Sequence, residues 1–330
     1  MNNNLFMKAK AYTFCMCLLL LSTLGCEKEE KITTISSTNK KIKTFYTSEL
    51  NSCITLLDSI SILKKIEDNI SMYIKARKHF KKIEPILASI DKNNYKSLNA
   101  PNILQVQEED LTDIKIRNPF GFQVIEELLH ESKIDTLQLQ RTLLITSSRL
   151  KLIKKNAYIN LKDYHIIWLV RDQIIRIATT GITGFDSPVL GTSLLESQYT
   201  YKTLITLIDF FQDRFKSKEV YATLIASFQN AIKVLDHDFD SFDRYTFIKE
   251  HTDKQLKLLI ETQEDWKVTF PFEMAISNNA TALFSPNTIN VFYFTDHKSD
   301  TTYLKQKELF GKELFNDKTL SKNYTMACAS

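Results

Sequence analysis

From residue 45 the apolar positions recur at three- and four-residue steps: Leu50, Ile54, Leu57, Ile60 and Leu63, then Ile70, Tyr73 and Ile74. That spacing lines one face of a helix, and it predicts one long helix or two shorter ones through residue 84. Pro85 has no N–H and crowds the carbonyl of Lys81, so a kink or a helix end is predicted there. Residues 91–119 read as loop, with Asn93-Asn94, Pro101, a Glu108-Glu109-Asp110 run and Pro119. Helical spacing returns over 120–131. Asp135-x-x-Gln138 has the form of a cap for the next helix, 137–152. A further helix spans 161–180 and stops at Gly181, where Gly181-Ile182-Thr183-Gly184-Phe185-Asp186-Ser187-Pro188 reads as a loop. Ser193-x-x-Glu196 has capping-box form and opens a helix to 215; 220–235 and 242–265 follow. About seven or eight helices with short connections predict an all-α fold, an antiparallel helical bundle or two bundles packed together. After Trp266 the texture turns extended and aromatic, as in Phe270-Pro271-Phe272 and Asn290-Val291-Phe292-Tyr293-Phe294. This part, 266–304, is expected to be a connector packed on a neighbour.

The first residues follow another pattern. Lys8 and Lys10 precede a short apolar run at 14–21, too short to span a bilayer comfortably, and Leu24-Gly25-Cys26 follows it. The arrangement resembles a bacterial lipobox, with Thr23 where Leu is usual. It implies that residues 1–25 are a lipoprotein signal peptide and that Cys26 is acylated, which would anchor the chain stably in a membrane. Glu27-Lys28-Glu29-Glu30 resembles the acidic signals that send some Bacteroidetes-type lipoproteins to the outer surface. The expected location is the cell envelope, at the periplasmic face or the outer surface of the outer membrane. Residues 26–43, rich in Lys, Thr and Ser without apolar periodicity, are expected to form a flexible tether. The helical domain would then run over 44–265.

Composition narrows the classes. Of 330 residues, 43% are hydrophobic and 25% charged, which suits a packed globular chain. Six Gly and six Pro are few, and helices tolerate that shortage better than a many-stranded sandwich with tight turns. Net charge is +4; without Lys8 and Lys10 the balance is 41 basic to 39 acidic, or +2. There is no basic stripe and no case for nucleic acid. Cys15 and Cys17 would leave with the signal and Cys26 would carry lipid, so Cys53 and Cys328 remain and no disulfide framework is expected. Cys53 lies in an apolar helical pattern and reads as a buried thiol. The six His do not pair at metal-ligand spacing, and no phosphate loop or nucleophile elbow occurs.

The tail carries the most specific pattern. Gly311, Lys312, Leu314, Phe315, Asp317, Leu320, Ser321, Cys328, Ala329 and Ser330 stand in the order and spacing that, in bacterial di-haem cytochrome c peroxidases, lead into the first Cys-x-x-Cys-His. Phe310 stands where that family usually has Leu. By this resemblance, 305–330 is the truncated start of a haem domain and Cys328 is its first haem thiol, if the chain continued. The full family member carries two c-type haems and reduces hydrogen peroxide with electrons from a small donor. The chain as given has one thiol of the pair and no axial His, so it holds no haem by itself. No catalytic residue and no metal site are assigned to it.

Two internal motifs point to an imelysin-like region. Gly121-Phe122-Gln123-Val124-Ile125-Glu126 resembles the Gly-x-His-x-x-Glu of imelysin-like proteins, helical envelope proteins linked to iron uptake, with Gln123 where they have His. An amide is a poor transition-metal ligand beside imidazole, so the reading for Gln123 and Glu126 is a buried polar network. The run from Arg77 to Glu84 and Pro85 resembles the Arg-x-x-Tyr-x-x-Ile-Glu signature of the same region. Arg77 and Glu84 lie two turns apart on one face, and a charge-assisted link from Arg77 to Glu126 or Glu84 would satisfy buried charges. With the Gly181–Pro188 loop and the Phe242-Asp243-Arg244-x-x-Phe247-Ile248 run, these motifs resemble the helical region ahead of the haem domains in many Bacteroidetes-type di-haem peroxidases. The resemblance implies a lipid-anchored accessory region whose partners are the membrane and either haem domains or a small electron-donor protein. Two alternatives are a stand-alone imelysin-like lipoprotein that binds iron or haem, and a non-functional gene remnant.

Overall fold

The computed structural model describes residues 26–61, 63–110, 113–294 and 303–330; the signal peptide expected over 1–25 lies outside them. The described residues form an all-α helical bundle with one two-stranded hairpin. None of their helices is long and apolar enough to cross a membrane.

Helices α1 (Cys26–Ser59) and α2 (Ile66–Ile90) form an antiparallel pair. Asn69 closes their turn, accepting from the Ser61 N–H at 3.1 Å and donating to its carbonyl at 2.9 Å. Leu63 falls in this turn and is solvent-exposed, so the apolar periodicity breaks between Ser59 and Ile66. The expected tether over 26–43 is instead part of α1. Thr38, Asn39 and Ile42 are buried, and the Asn39 amide satisfies both backbone groups of Leu161, at 3.1 and 2.8 Å. Ile42 continues the face of Tyr46, Leu50 and Cys53, all in the core. One apolar residue per turn, backed by a paired amide, is enough to extend a helix that composition alone marks as linker.

Pro85 neither ends nor breaks α2, which runs on to Ile90. The carbonyl of Lys81, which Pro85 cannot serve, lies 3.4 Å from the Thr200 hydroxyl, which it shares with the Glu196 carbonyl at 3.2 Å. The next carbonyl, of Lys82, accepts from the Thr203 hydroxyl at 3.0 Å. Both threonines lie on α7 (Ser193–Phe210), which packs alongside α2 in parallel.

The loop expected over 91–119 contains regular structure. Asp91 caps a short helix α3 (Lys92–Leu98) through the Asn94 N–H at 3.2 Å. Strands β1 (Gln105–Asp110) and β2 (Asp113–Arg117) form an antiparallel hairpin with Val106 opposite Ile116. Then come α4 (Phe122–His130), α5 (Thr136–Lys155) and α6 (Asp163–Thr179). Asp135 caps α5 as expected, accepting from the Gln138 N–H at 2.9 Å. After α7, helix α8 (Lys218–Val234) leads to α9 (Arg244–Phe247), a π turn (Ile248–Thr252) and α10 (Asp253–Trp266). The single helix expected over 242–265 is therefore interrupted by one wider turn.

The chain divides into two compact units. The helical body reaches Phe270 and includes Ala280–Ser285. The other unit comprises Pro271–Asn279 and Pro286–Ser330. In it Ile276 bridges Ile289, a 3-10 turn covers Val291–Phe294, and helix α11 spans Leu304–Asn316. Among its described residues, the region expected as an extended connector holds one bridged pair, Ile276 with Ile289, and a 3-10 turn, and helix begins at Leu304.

Candidate functional site: a buried ionic network under one loop

The motif residues meet beneath the loop between α6 and α7. Four side chains on one face of α2 enter the core at helical spacing: Tyr73, Arg77, Lys81 and Glu84, all buried. Arg77 forms a two-pronged ion pair with Glu196 of α7, Nε to Oε1 at 2.9 Å and Nη2 to Oε2 at 3.0 Å. It also donates to the Asp186 carbonyl at 2.6 Å and to Asn99 Oδ1 at 3.1 Å. Its guanidinium sits 5.4 Å from the ring centres of Phe80 and Phe122. The expected link from Arg77 to Glu126 or Glu84 is not formed. The parallel packing of α2 on α7 puts Glu196 directly opposite Arg77, while Glu84 and Glu126 have donors of their own.

Lys81 completes the second layer. Its ammonium contacts Glu84, donates to Asp186 Oδ2 at 2.7 Å and lies 4.0 Å from Glu196. Glu84 also accepts from Gln173 Nε2 at 2.6 Å and has Arg176 at 4.0 Å, both from α6. Arg176 in turn lies 4.5 Å from the centre of the Tyr95 ring. Asp186 accepts from Asn99 Nδ2 at 2.7 Å. The capping box read into Ser193 and Glu196 does not form: Glu196 turns inward to Arg77, and the Ser193 hydroxyl is buried without a partner among the described residues. A buried guanidinium holds that carboxylate more strongly than a helix-end N–H does.

Gly121, Gln123 and Glu126 form the opposite wall. Gly121 has φ +117° and ψ −163°, a conformation essentially restricted to glycine. A Cβ there would also lie 2.3 Å from the Leu98 carbonyl oxygen. Gln123 donates to the Asn99 carbonyl at 3.3 Å. Glu126 accepts four hydrogen bonds: Tyr73 Oη to Oε2 at 2.9 Å, and the Ser187 hydroxyl, Val189 N–H and Leu190 N–H to Oε1 at 3.1, 3.0 and 2.8 Å. Three of these donors crowd Oε1, and the single donor on Oε2, the Tyr73 hydroxyl, also reaches the Phe122 carbonyl at 2.9 Å. Gln123 and Glu126 therefore belong to one buried polar layer, and Glu126 is bound to the loop.

Charge inside this network is set by competition between burial and pairing. Burial pushes the Asp186 carboxyl up, but Lys81 and then Arg77 outweigh it and hold the group well below the usual carboxylate range. Burial pushes Glu196 above its ordinary value against the opposing pull of Arg77 and Lys81. Burial works against the Lys81 and Arg77 cations, yet Asp186 at Lys81 and Glu196 at Arg77 keep both above their ordinary values. Both cations therefore stay charged in the core.

Arg244 clamps the start of the same loop, donating to the Ile182 carbonyl at 2.7 Å and to the Phe239 and Phe242 carbonyls at 2.9 and 3.0 Å. Gly184, at φ +85°, leaves room for Phe239, whose ring would lie 2.7 Å from a Cβ. All the internal motifs thus act on residues 181–192. Chemically, the arrangement fixes a loop; its carboxylates and cations are committed to one another.

Sequence reasoning missed Lys81, Asn99, Gln173, Asp186 and Glu196 as members. Asp186 stood inside the quoted loop. Lys81 was hidden in a basic run that reads as a solvated face. A period-of-four scan from Arg77 would have found it. Cys53 is buried as expected, its thiol 3.3 Å from the Ala76 carbonyl, and burial pushes its pKa up. Cys26 begins α1, far in sequence from the network, and Cys328 is exposed at the other end of the chain. No protein-family model and no curated protein matches the chain.

Proposed function

We propose that this chain is the lipid-anchored accessory region of a di-haem cytochrome c peroxidase, tethered through Cys26 and carrying the first haem thiol, Cys328. The observation that carries the reading is the state of the C-terminal unit. Helix α11 buries none of its side chains, and Leu309, Phe310 and Phe315 are all more than half exposed. The Ala329 N–H donates to the Phe315 carbonyl at 3.0 Å, which folds the exposed Cys328 back beside that apolar helix. An ordered amphipathic helix with a thiol at its edge and nothing covering either suits the rim of a larger domain.

The residues present do not complete a haem site. Cys328 would supply one of two thioether bonds, and Cys328-Ala329-Ser330 holds neither the second Cys nor the His of the Cys-x-x-Cys-His pattern. Peroxide reduction therefore belongs to the complete protein, and the helical body holds or positions that module at the envelope. The alternative of an iron-binding site at Gln123 and Glu126 is less favoured by the geometry, because Gln123 donates to the Asn99 carbonyl and Glu126 Oε1 is taken by three donors of the loop.

The test is mass spectrometry and haem staining of the native polypeptide, isolated from its source with an antibody to the helical body. A polypeptide longer than Ser330 with haem linked to Cys328 is the expected result. A mature chain ending at Ser330, free of haem, would overturn the reading. Labelled-palmitate incorporation lost in Cys26→Ala reports the anchor separately.

A further inference from the structure

Helices α2 and α7 run parallel, and the solvent side of their contact is a shallow strip with an uneven charge. Arg77 meets Glu196, the Lys81 carbonyl meets Thr200, and the Lys82 carbonyl meets Thr203, which fixes the register along about two turns. On the outer side α2 presents Ile74, Lys75, Lys78 and Lys82, and α7 presents Leu195, Tyr199 and Lys202. The two walls meet at one ring. The ammonium groups of Lys78 and Lys202 lie 5.3 and 5.5 Å from the centre of Tyr199.

Lys82 is neutralised by Glu49 of α1 at 2.8 Å. Among the described residues, Lys75, Lys78 and Lys202 have no carboxylate partner, although the chain has 39 acidic residues to its 43 basic ones. Ile74 and Leu195 are exposed at the same end of the strip. Unpaired lysines with long apolar stems, an amphipathic aromatic ring between them and two exposed aliphatic side chains form the combination that settles at a lipid–water boundary.

We propose that the α2/α7 strip is a secondary contact for an anionic lipid surface, with Lys75, Lys78 and Lys202 facing the headgroups and Tyr199, Ile74 and Leu195 resting at their boundary. The inference extends the membrane attachment proposed above, on which its cellular relevance rests, but the strip acts independently of acylation. Three lysines give weak binding alone; an anchor that holds the chain at the membrane makes such a contact effectively intramolecular.

The experiment is co-sedimentation of the full chain carrying Cys26→Ser, so that acylation cannot contribute, with vesicles of phosphatidylcholine alone or mixed with phosphatidylglycerol. The mixed vesicles should be preferred, and each lysine removed should weaken that preference about fivefold. Lys78→Ala with Lys202→Ala should therefore lower it about 25-fold with circular dichroism unchanged, and half-molar salt should abolish it in the unsubstituted strip. Equal binding to both vesicle types, or indifference to the double substitution, would overturn the proposal. So would lysine-dependent binding to soluble polyglutamate without binding to vesicles, which would assign the strip to an acidic protein. The palmitate assay on the native chain reads acylation in every case, so failure of the strip and failure of the anchor are distinguishable.

Discussion

Replacing Arg77 with methionine removes the central cation of the buried network while keeping much of its stem. The Arg77 and Glu196 side chains are 2% and 4% exposed, so water cannot take over the vacated contacts. Three acceptors lose a donor: the Glu196 carboxylate, the Asp186 carbonyl and Asn99 Oδ1. Breaking a buried ion pair costs about 3–5 kcal/mol, because the remaining charge is left uncompensated. The two neutral acceptors lose their guanidinium donor and add about 1 kcal/mol or more between them. The expected loss is about 4–6 kcal/mol at pH 7, read as a lowered urea midpoint followed by circular dichroism at 222 nm. The sign of the pH dependence is a sharper test. Without Arg77, the folded-state pKa of Glu196 rises further above its unfolded value. Stability of the variant then falls as pH rises between those two values, by up to ~1.4 kcal/mol per unit. Acidification from pH 7 to 5 should therefore recover part of the deficit. Adding Glu196→Gln should recover some of it at pH 7 as well, by about 2 kcal/mol of coupling. If the single and double variants are equally destabilised and neither responds to pH, the pair is not the organising contact described here.

Four further outcomes are expected. Gly121→Ala forces a Cβ against the Leu98 carbonyl at a φ that L residues rarely adopt, so it should destabilise by about 3 kcal/mol or more in the same assay. Glu126→Gln turns an amide N–H₂ toward one of the four donors, so amide hydrogen exchange should quicken at 187–192 before elsewhere, with a loss of about 1–3 kcal/mol. Thr200→Val leaves the Lys81 carbonyl without a donor and should cost about 1 kcal/mol, but less in a Pro85→Ala background, where residue 85 regains its N–H. The folded-state pKa of Asp186 lies below its unfolded value, so its contribution is complete above the usual carboxylate range and fades as pH falls through and below it; Asp186→Asn should be less stable than the parent at pH 7 and lose less on acidification.

How much of this was legible before the structure varies with the kind of interaction. Element type followed from apolar periodicity, because burying a stripe is what makes these helices form. Pro85 does not end its helix as one of the two expected outcomes had it, because the rule for proline concerns a single helix and the hydroxyl that reaches the Lys81 carbonyl lies on another. The 26–43 segment was misread because Asn39 scores as polar, whereas here it substitutes for two backbone partners of Leu161. Arg77, Gly121, Gln123 and Glu126 were marked by motif. Their partners were not: the four-residue step from Arg77 puts Lys81 on the same face, but the two carboxylates that bury it, Glu84 and Asp186, are identified only by the fold. The hairpin went unread because an acidic run masks the alternation of Val106 and Ile116 on paired strands.

The Thr200 hydroxyl that caps the orphan carbonyl before Pro85 is 119 residues away along the chain. This contact of α2 therefore forms only once α7 is in place. A nascent or emerging chain gains it when roughly two-thirds of the polypeptide is available. Such an order favours a single cooperative transition over a stable N-terminal intermediate. It also means that chains interrupted before α7 should stay loose and open to proteases, a form of quality control contained in one proline and one threonine.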